Sequence, residues 1–202
     1  MVEWCVHYGD KKMKVWKALS GHVLITNVGT LEQRQDLLQQ AWLKKRSTPT
    51  DPRSNDGCWR SNIVYQRAEW LENALLEQLQ QSVDYYLQED PSYKQTLSQE
   101  NLQIESWTNI NDPGSLNLLH THKINNFSAL YYVQAQGTGD LVFLNPANLD
   151  LSANYHGPGN ARMHYQPSDG DLLMWPSWMP HEVERNTSNK HRVNIAFNIK
   201  LA

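Results

Sequence analysis

The sequence predicts a mainly β domain with helices covering one of its sheets. Between residues 102 and 199, short segments of alternating or wholly apolar residues are separated by clusters of Gly, Pro, Asp and Asn. The part of the chain before residue 100 instead carries longer segments with apolar residues at helical spacing. Many short strands within about 100 residues are typical of a sandwich, a barrel or a jelly roll.

Length and charge limit the number of domains and the classes of binding partner. The chain has 202 residues, which fits one domain, because cores usually split only beyond roughly 250–300 residues. We therefore expect a single domain over residues 1–202, with a helical support region at 1–100 and a β core at 101–202. Lys and Arg number 18 and Asp and Glu 21, so the net charge is −3. This balance argues against the basic surface that binds duplex nucleic acid.

Two helices are predicted in the first half. The first begins after Thr30, which forms a capping-box pattern with Gln33, and its basic last turn suits the helix dipole. The second covers about residues 67–88 and ends before an Asp-Pro pair.

Strands are predicted in the second half, with turns between them. They lie near residues 102–110, 116–122, 127–134, 140–144, 161–166, 171–175, 181–185 and 190–199. An Asn-Asp-Pro-Gly turn at 111–114 separates the first two. In the last strand, Val193, Ile195, Phe197 and Ile199 alternate with residues that include Arg192 and Asn194, so one face should pack on the helices.

The cysteine content and the apolar segments of the sequence indicate the cellular compartment in which the protein is expected. Two cysteines, Cys5 and Cys58, are too few for a disulfide framework, and reduced thiols are expected, with a single bridge between them as the alternative. No run approaches the roughly 18 apolar residues of a membrane span, and no apolar segment typical of a secretory signal is found near the start. We therefore expect a cytoplasmic protein that does not bind membranes.

Histidines supply the candidate chemistry. In a strand, His120 and His122 would point to the same face, close enough to share a metal, although from the pair alone a polar strand edge is the favoured interpretation. A third imidazole, His181, follows a buried strand and a Pro-bounded corner. Three imidazoles match the ligand preference of Fe(II), Zn or Cu and leave coordination positions open.

Arg192 is a candidate for binding an anionic ligand. If it points into a small barrel, burial of its charge is costly unless an anion binds there, and a carboxylate would match its planar guanidinium. If its strand lies at a sheet edge, the side chain is simply solvated. The sequence leaves both readings open.

Several motifs occur in a characteristic order. They are His120-x-His122, SALYYV at 128–133, GDLVF at 139–143, GDLLMWP at 170–176, His181 and Arg192. This order resembles the 2-oxoglutarate/Fe(II)-dependent oxygenases of the prolyl-hydroxylase type. The WTNINDPG segment at 107–114, the VNIAFN segment at 193–198 and the NDGCWRS segment at 55–61 are similar to a 2OG-Fe(II) oxygenase branch with a His-x-His…His motif.

The resemblance implies a fold and a metal site. The fold is a double-stranded β-helix, the jelly-roll or cupin-like core, with helices over one sheet. His120, His122 and His181 would hold Fe(II), with His122 at the position where the wider superfamily usually has Asp or Glu. Three neutral imidazoles leave the site at a charge of about +2, rather than the +1 of two imidazoles and a carboxylate.

The resemblance also implies the cosubstrate contacts. Arg192 would bind the distal carboxylate of 2-oxoglutarate, and Tyr132 would donate a hydrogen bond to the same group. Asn194 stands where many members have a small hydroxyl residue, and Asn109 would line the cosubstrate pocket. No catalytic residue beyond the metal centre is implied.

The implied function is a dioxygenase, an oxidoreductase that couples oxidative decarboxylation of 2-oxoglutarate to hydroxylation of a C–H bond. Its cofactors would be Fe(II) and 2-oxoglutarate, with ascorbate as an allowed addition, and its partners dioxygen and a peptide or small-molecule substrate. Prolyl and other peptide side chains, nucleotides and metabolites all stay open as substrates. Two alternatives remain: a three-His cupin-type dioxygenase that needs no 2-oxoglutarate, and a non-catalytic jelly-roll binding module.

Overall fold

The computed structural model describes residues 3–8, 11–18, 21–51, 53–62, 68–89, 102–122, 124–144 and 162–201. Within these residues, eleven strands form a curled, antiparallel sheet, and two helices pack against it. The predicted fold class, mainly β with helices over one sheet, is confirmed.

Strands and helices are mixed before residue 90, and all the described elements after residue 101 are strands. The first group comprises β1 (Glu3–Tyr8), β2 (Lys11–Ala18), β3 (Gly21–Asn27), α1 (Leu31–Ser47), β4 (Asn55–Arg60) and α2 (Glu69–Glu89). The second group comprises β5 (Leu102–His120), β6 (Phe127–Gln134), β7 (Leu141–Leu144), β8 (Arg162–Tyr165), β9 (Asp171–Pro176), β10 (His181–Val183) and β11 (Arg192–Leu201).

The sheet curls around an apolar interior. Its strand order is β1-β2-β3-β9-β6-β11-β5-β10-β7-β8, with β4 also paired to β5. Strands β6 and β7 are not neighbours in this order, yet Leu130 and Tyr132 of β6 lie in one buried cluster with Leu141 and Phe143 of β7. The two halves of the sheet therefore face each other, and the inward faces of β6 and β11 look into the space between them.

The helices cover the outer face of the part of the sheet that contains β6, β9 and β11. Thr30 caps α1 as predicted, since its side chain accepts from the Gln33 backbone N–H and the Gln33 side chain accepts from the Thr30 N–H. Leu37 of α1 and Leu75 of α2 are buried against apolar side chains of β6, β9 and β11. Gln78 of α2 also donates to the backbone carbonyls of Leu24 and Leu172, which joins the helix to β3 and β9.

Strand β5 is longer than the sequence pattern indicates. The turn predicted at 111–114 is wrong, because β5 continues through it to His120. Gly114 adopts a positive φ of 87°, which an L side chain rarely takes, and the strand changes partners around it. Residues 102–111 pair with β11, whereas 117–120 pair with β10. One strand therefore carries side chains into both halves of the sheet.

Four strands lie in the region expected to be helical. β1, β2 and β3 form an antiparallel series that extends the sheet beyond β9, and β4 pairs with the middle of β5. The helical description of residues 1–100 is therefore incomplete. Among the described residues, neither helix combines the length and the apolar run that crossing a lipid bilayer requires.

Two neighbouring leucines of α2 test the packing of the helices. Leu75 is fully buried in the outer cluster, whereas Leu76 is 38% exposed. We expect Leu75→Ala to lower the free energy of unfolding by about 2–5 kcal/mol, because it leaves a cavity, and Leu76→Ala to change it by less than about 1 kcal/mol. Urea denaturation of both variants measures this, and equal losses would mean that α2 does not pack through Leu75.

Candidate active site

Backbone pairing brings the three predicted metal-ligand histidines together. His120 ends β5 and His181 begins β10, and the register of the two strands places them directly opposite each other. His122 follows two residues after His120, and its backbone N–H donates to the carbonyl of Ser177, 2.9 Å away, in the corner that precedes His181. The main chain therefore fixes the positions of all three residues.

The three rings form one compact group. Their candidate ligand nitrogens all lie within 4.8 Å of one another. The ring centroids are 4.9 Å apart for His120 and His122, 4.3 Å for His120 and His181, and 5.3 Å for His122 and His181. A metal held at about 2.0–2.2 Å by each nitrogen would need only small side-chain adjustments. Among the described residues, no Asp, Glu or Cys joins this group.

Backbone carbonyls set the tautomers of two of the rings. His120 Nδ1 lies 2.6 Å from the carbonyl oxygen of Leu118, and His181 Nδ1 lies 2.9 Å from that of Met179. Because a carbonyl only accepts, each Nδ1 must carry the proton and donate. The Nε2 lone pairs of both rings are thereby left for a metal, in the arrangement that often orients ligand histidines.

Burial also keeps the imidazoles in their neutral form. Desolvation lowers the pKa of His181 well below its usual value and lowers the pKa of His120. Desolvation, with the neighbouring His120 and Arg60, lowers the pKa of His122 to about 4. Metal binding requires the neutral ring, so at pH 7 the group needs no proton release before a metal binds.

The histidines open into a cleft with polar walls. Asn109 of β5 and Asn194 of β11 lie on its wall, as do Trp107 and Arg60. The Arg60 guanidinium stacks 4.5 Å from the Trp107 ring, and its Nη1 donates to Asp51 Oδ2 at 2.5 Å. Its charge therefore has a partner, and its position in the cleft is fixed.

Arg192 lies further along the inward face of β11, two residues before Asn194. The side chain is fully buried, and its Nη1 donates to the carbonyl of Thr138 at 2.7 Å. Within the described part of the chain, its Nε and Nη2 have no hydrogen-bond partner. Burial lowers the pKa of the guanidinium, the direction expected where a charge lacks a counter-ion. The inward reading of Arg192 is correct, and the solvated edge-strand reading is not.

Tyr132 supplies another unused donor on the neighbouring strand. Its backbone lies opposite Asn194 in the pairing of β6 with β11, and its side chain is fully buried. Desolvation raises the pKa of the phenol, so the hydroxyl stays protonated. Among the described residues, Oη has no hydrogen-bond partner. Unpartnered buried donors on Arg192 and Tyr132 fit an anion such as a carboxylate.

The structure thus brings the predicted site residues together in two groups. The cleft wall holds the three histidines with Asn109 and Asn194, whereas Arg192 and Tyr132 lie beyond that wall, fully buried on the same strand faces. The predicted alternation of β11 is confirmed, because Val193 and Phe197 contact the helix-facing cluster.

Sequence reasoning missed part of the polar wall. Asn55 and Asn117 both lie there, on β4 and β5, and directly opposite each other. The NDGCWRS segment contains Asn55, but nothing local indicates that it meets a residue 62 positions later. Cys58 of the same segment is a buried free thiol, and the side chain of Cys5 is outside the described residues.

A second group of titratable residues lies at the surface of β8. His164 Nδ1 is 3.3 Å from Glu184 Oε1 and 3.7 Å from Asp140 Oδ2, and all three side chains are partly exposed. Exposed groups of this kind are common as ion pairs and are worth little to stability.

Comparison with known proteins gives a family match over part of the chain and a similar fold. Residues 105–198 match the profile of a family described as "Putative 2OG-Fe(II) oxygenase". No curated protein sequence matches the chain. Among solved structures, a prolyl-4-hydroxylase from Pseudomonas putida is similar at 15% identity, with 89% of this chain and 92% of that chain covered and a TM-score of 0.63.

Two further structures show the same fold with other names attached. HygX from Streptomyces hygroscopicus, solved with nickel and 2-oxoglutarate bound, has 12% identity over 88% of this chain and 82% of its own, with a TM-score of 0.57. The carbocyclase SnoK from nogalamycin biosynthesis has 12% identity over 88% of this chain and 78% of its own, with a TM-score of 0.59.

The two arginines of the site should differ in what they contribute to stability. We expect Arg192→Met to leave the free energy of unfolding unchanged or to raise it by up to about 3 kcal/mol, because it removes a buried charge that lacks a counter-ion. Arg60→Met, which removes a paired and stacked guanidinium, should lower it by about 1–3 kcal/mol. Urea denaturation of both variants measures the contrast, and a clear loss of stability in Arg192→Met would mean that Arg192 is structural.

Proposed function

We propose that the chain is a 2-oxoglutarate/Fe(II)-dependent oxygenase that hydroxylates a C–H bond of a peptide or small-molecule substrate, because residues 105–198 match a family described as "Putative 2OG-Fe(II) oxygenase". Enzymes of this family use Fe(II) and 2-oxoglutarate. The observation that carries the proposal is a fully buried guanidinium with unused donors, on the strand face that leads to three convergent imidazoles.

His120, His122 and His181 hold the metal in this proposal. Neutral imidazoles with free Nε2 atoms suit a first-row divalent ion, and three protein ligands leave open positions for a chelating cosubstrate and dioxygen. His122 then replaces the carboxylate of the usual set, which leaves the site more positive by about one charge and favours an anionic chelator.

Arg192 and Tyr132 hold the distal carboxylate of 2-oxoglutarate. The guanidinium has two nitrogens without a partner among the described residues, Nε and Nη2, and the phenol has an unpartnered hydroxyl, so a carboxylate could accept from both nitrogens and from the phenol. Asn194 and Asn109, on the wall between this clamp and the histidines, are the remaining cosubstrate contacts.

When bound, Fe(II) with 2-oxoglutarate and dioxygen supplies the oxidising chemistry, in which decarboxylation to succinate and CO₂ is coupled to hydroxylation. The chain itself would bind and orient these groups and the substrate, and would exclude water from the site. Trp175 and Phe143 pack around His181, with ring centroids 5.0 Å and 6.2 Å away, and both are buried. No general base is required, so the protein contributes position and a dry interior rather than proton transfer.

The direct test is a succinate-release assay with Fe(II) in air, against a panel of prolyl peptides, other peptides and small metabolites. The proposal expects succinate only when 2-oxoglutarate is present. Oxygen uptake on a substrate without 2-oxoglutarate would instead indicate the three-His cupin-type dioxygenase, which the all-imidazole site also fits. Absence of metal binding and of turnover would indicate a binding module.

Metal binding should depend on His181 and not on the surface group of His164, Asp140 and Glu184. We expect His181→Ala to lose stoichiometric binding of Fe(II) or Ni(II), because it removes a buried ligand that the other two rings cannot replace. His164→Ala is the matched control and should bind as the unchanged protein does. Anaerobic calorimetric titration measures both, and loss in His164→Ala alone would place the metal at the surface.

The proposed contact of Arg192 with 2-oxoglutarate predicts a specific kinetic change. We expect Arg192→Ala to raise the apparent KM for 2-oxoglutarate tenfold or more, since a charge-assisted bidentate contact contributes about 1.5–3 kcal/mol. Arg185→Ala removes a more exposed arginine of the β10–β11 connection and should leave KM unchanged. An unaltered KM in Arg192→Ala would remove the cosubstrate assignment.

A further inference from the structure

Five asparagines form a continuous chain of hydrogen bonds beside the cleft. Asn111 Nδ2 donates to Asn117 Oδ1 at 2.9 Å, and Asn117 Nδ2 donates to Asn55 Oδ1. Asn55 Nδ2 donates to Asn109 Oδ1 at 3.3 Å, and Asn109 Nδ2 donates to Asn194 Oδ1 at 2.8 Å. We call this series the carboxamide relay.

Strand register builds the relay. Asn55 lies opposite Asn117 in the pairing of β4 with β5, and Asn109 lies opposite Asn194 in the pairing of β5 with β11. Cross-strand neighbours of this kind are in contact range for short side chains. Four of the five residues are at most 9% exposed, so their polar groups depend on one another rather than on water.

The relay has a direction, because every member before Asn194 donates to the next and every member after Asn111 accepts from the one before; Asn111 Oδ1 has no partner among the described residues. Its start is anchored at Asn111, whose Nδ2 also donates to Cys58 Sγ, 2.6 Å away. The thiol in turn lies 3.4 Å from the carbonyl of Leu116, to which it can donate. Reversing one amide alone would set two acceptors or two donors face to face, so the members keep a common orientation.

The direction decides what the last residue presents to the cleft. Asn194 Oδ1 is occupied by Asn109, and among the described residues its amide N–H groups have no partner. Asn194 lines the same cleft as the three histidines. The relay therefore presents a donor to the cleft, where a reversed relay would present an acceptor.

We propose that Asn55 and Asn117 are positioning residues that hold the Asn194 amide with its N–H groups directed at a carboxylate oxygen of 2-oxoglutarate. The inference rests on the proposed function, since it takes 2-oxoglutarate as the ligand. A carboxylate only accepts, so it gains a hydrogen bond from this orientation and is repelled by the opposite one. Neither Asn55 nor Asn117 needs to touch the ligand.

Asn117→Asp tests the direction with almost no change in shape. A carboxylate at 117 still accepts from Asn111 but cannot donate to Asn55. Asn55 must then turn to donate to residue 117, Asn109 and Asn194 follow, and Asn194 presents its oxygen to the cleft. We expect the Kd for 2-oxoglutarate, measured by calorimetry on the Ni(II) protein without turnover, to rise about tenfold or more, with Ni(II) affinity unchanged.

Two controls separate direction from added charge. Asn198 lines the same cleft on β11 but is outside the relay, so Asn198→Asp adds the same charge without reversing the amides. Its effect on the Kd should be clearly smaller. In an Asn194→Ala background, Asn117→Asp should change the Kd less than twofold, because the relay acts only through Asn194. A full effect in either control would overturn the inference.

Asn55→Asp is the second variant, at a more exposed position that tolerates change more readily. It breaks donation to Asn109 and should raise the Kd in the same way. If the unchanged protein binds no 2-oxoglutarate, the proposed function fails. If the unchanged protein binds it and folded Asn117→Asp and Asn55→Asp proteins bind equally well, the relay has no positioning role and the proposed function stands.

Discussion

Strand β5 holds the site together through its hydrogen-bond register with three neighbours. Its last residue, His120, pairs with His181 of β10, and its first half pairs with β11 so that Asn109 meets Asn194. Its middle pairs with β4 and brings in Asn55. A shift of one residue would turn every one of these side chains to the opposite face. The group of three histidines, the polar wall and the relay therefore depend on a single backbone arrangement.

The interior of the sheet contains buried polar groups whose burial is unfavourable unless they have hydrogen-bond partners. Among the described residues, two nitrogens of a fully buried guanidinium have no hydrogen-bond partner, and a buried phenol has no acceptor. Folding alone disfavours each of these features. Their placement on adjacent strands of one curled sheet, beside three convergent imidazoles, fits the metal and the anion of the proposed function.

Local sequence patterns predict part of this site and not the rest. The alternation of β11 correctly predicts that Arg192 and Val193 face opposite ways, since strand periodicity is a property of neighbouring residues. The Thr30 capping box is likewise local and correct. The continuity of β5 through Pro113 and Gly114 is not predictable in this way, because turn residues also occur in strand irregularities.

Long-range pairing accounts for the other omissions. The contact of Asn55 with Asn117 depends on β4, which lies in a segment that reads as a polar loop, and on the register of β4 with β5. Strands β1–β3 precede the first helix and join the sheet only at β9, near residue 171. The order of motifs indicates which residues share the site, but only the fold shows the asparagines that are hydrogen-bonded in series to Asn194.

The central claim is that three imidazoles hold one iron without a carboxylate. A crystal structure of the anaerobic Fe(II) protein, with anomalous scattering measured at the iron edge, tests it most directly. The account predicts a single iron peak about 2.0–2.2 Å from one nitrogen each of His120, His122 and His181. An iron held by only two of these rings with a carboxylate oxygen in the third place, or a peak elsewhere in the molecule, would contradict it.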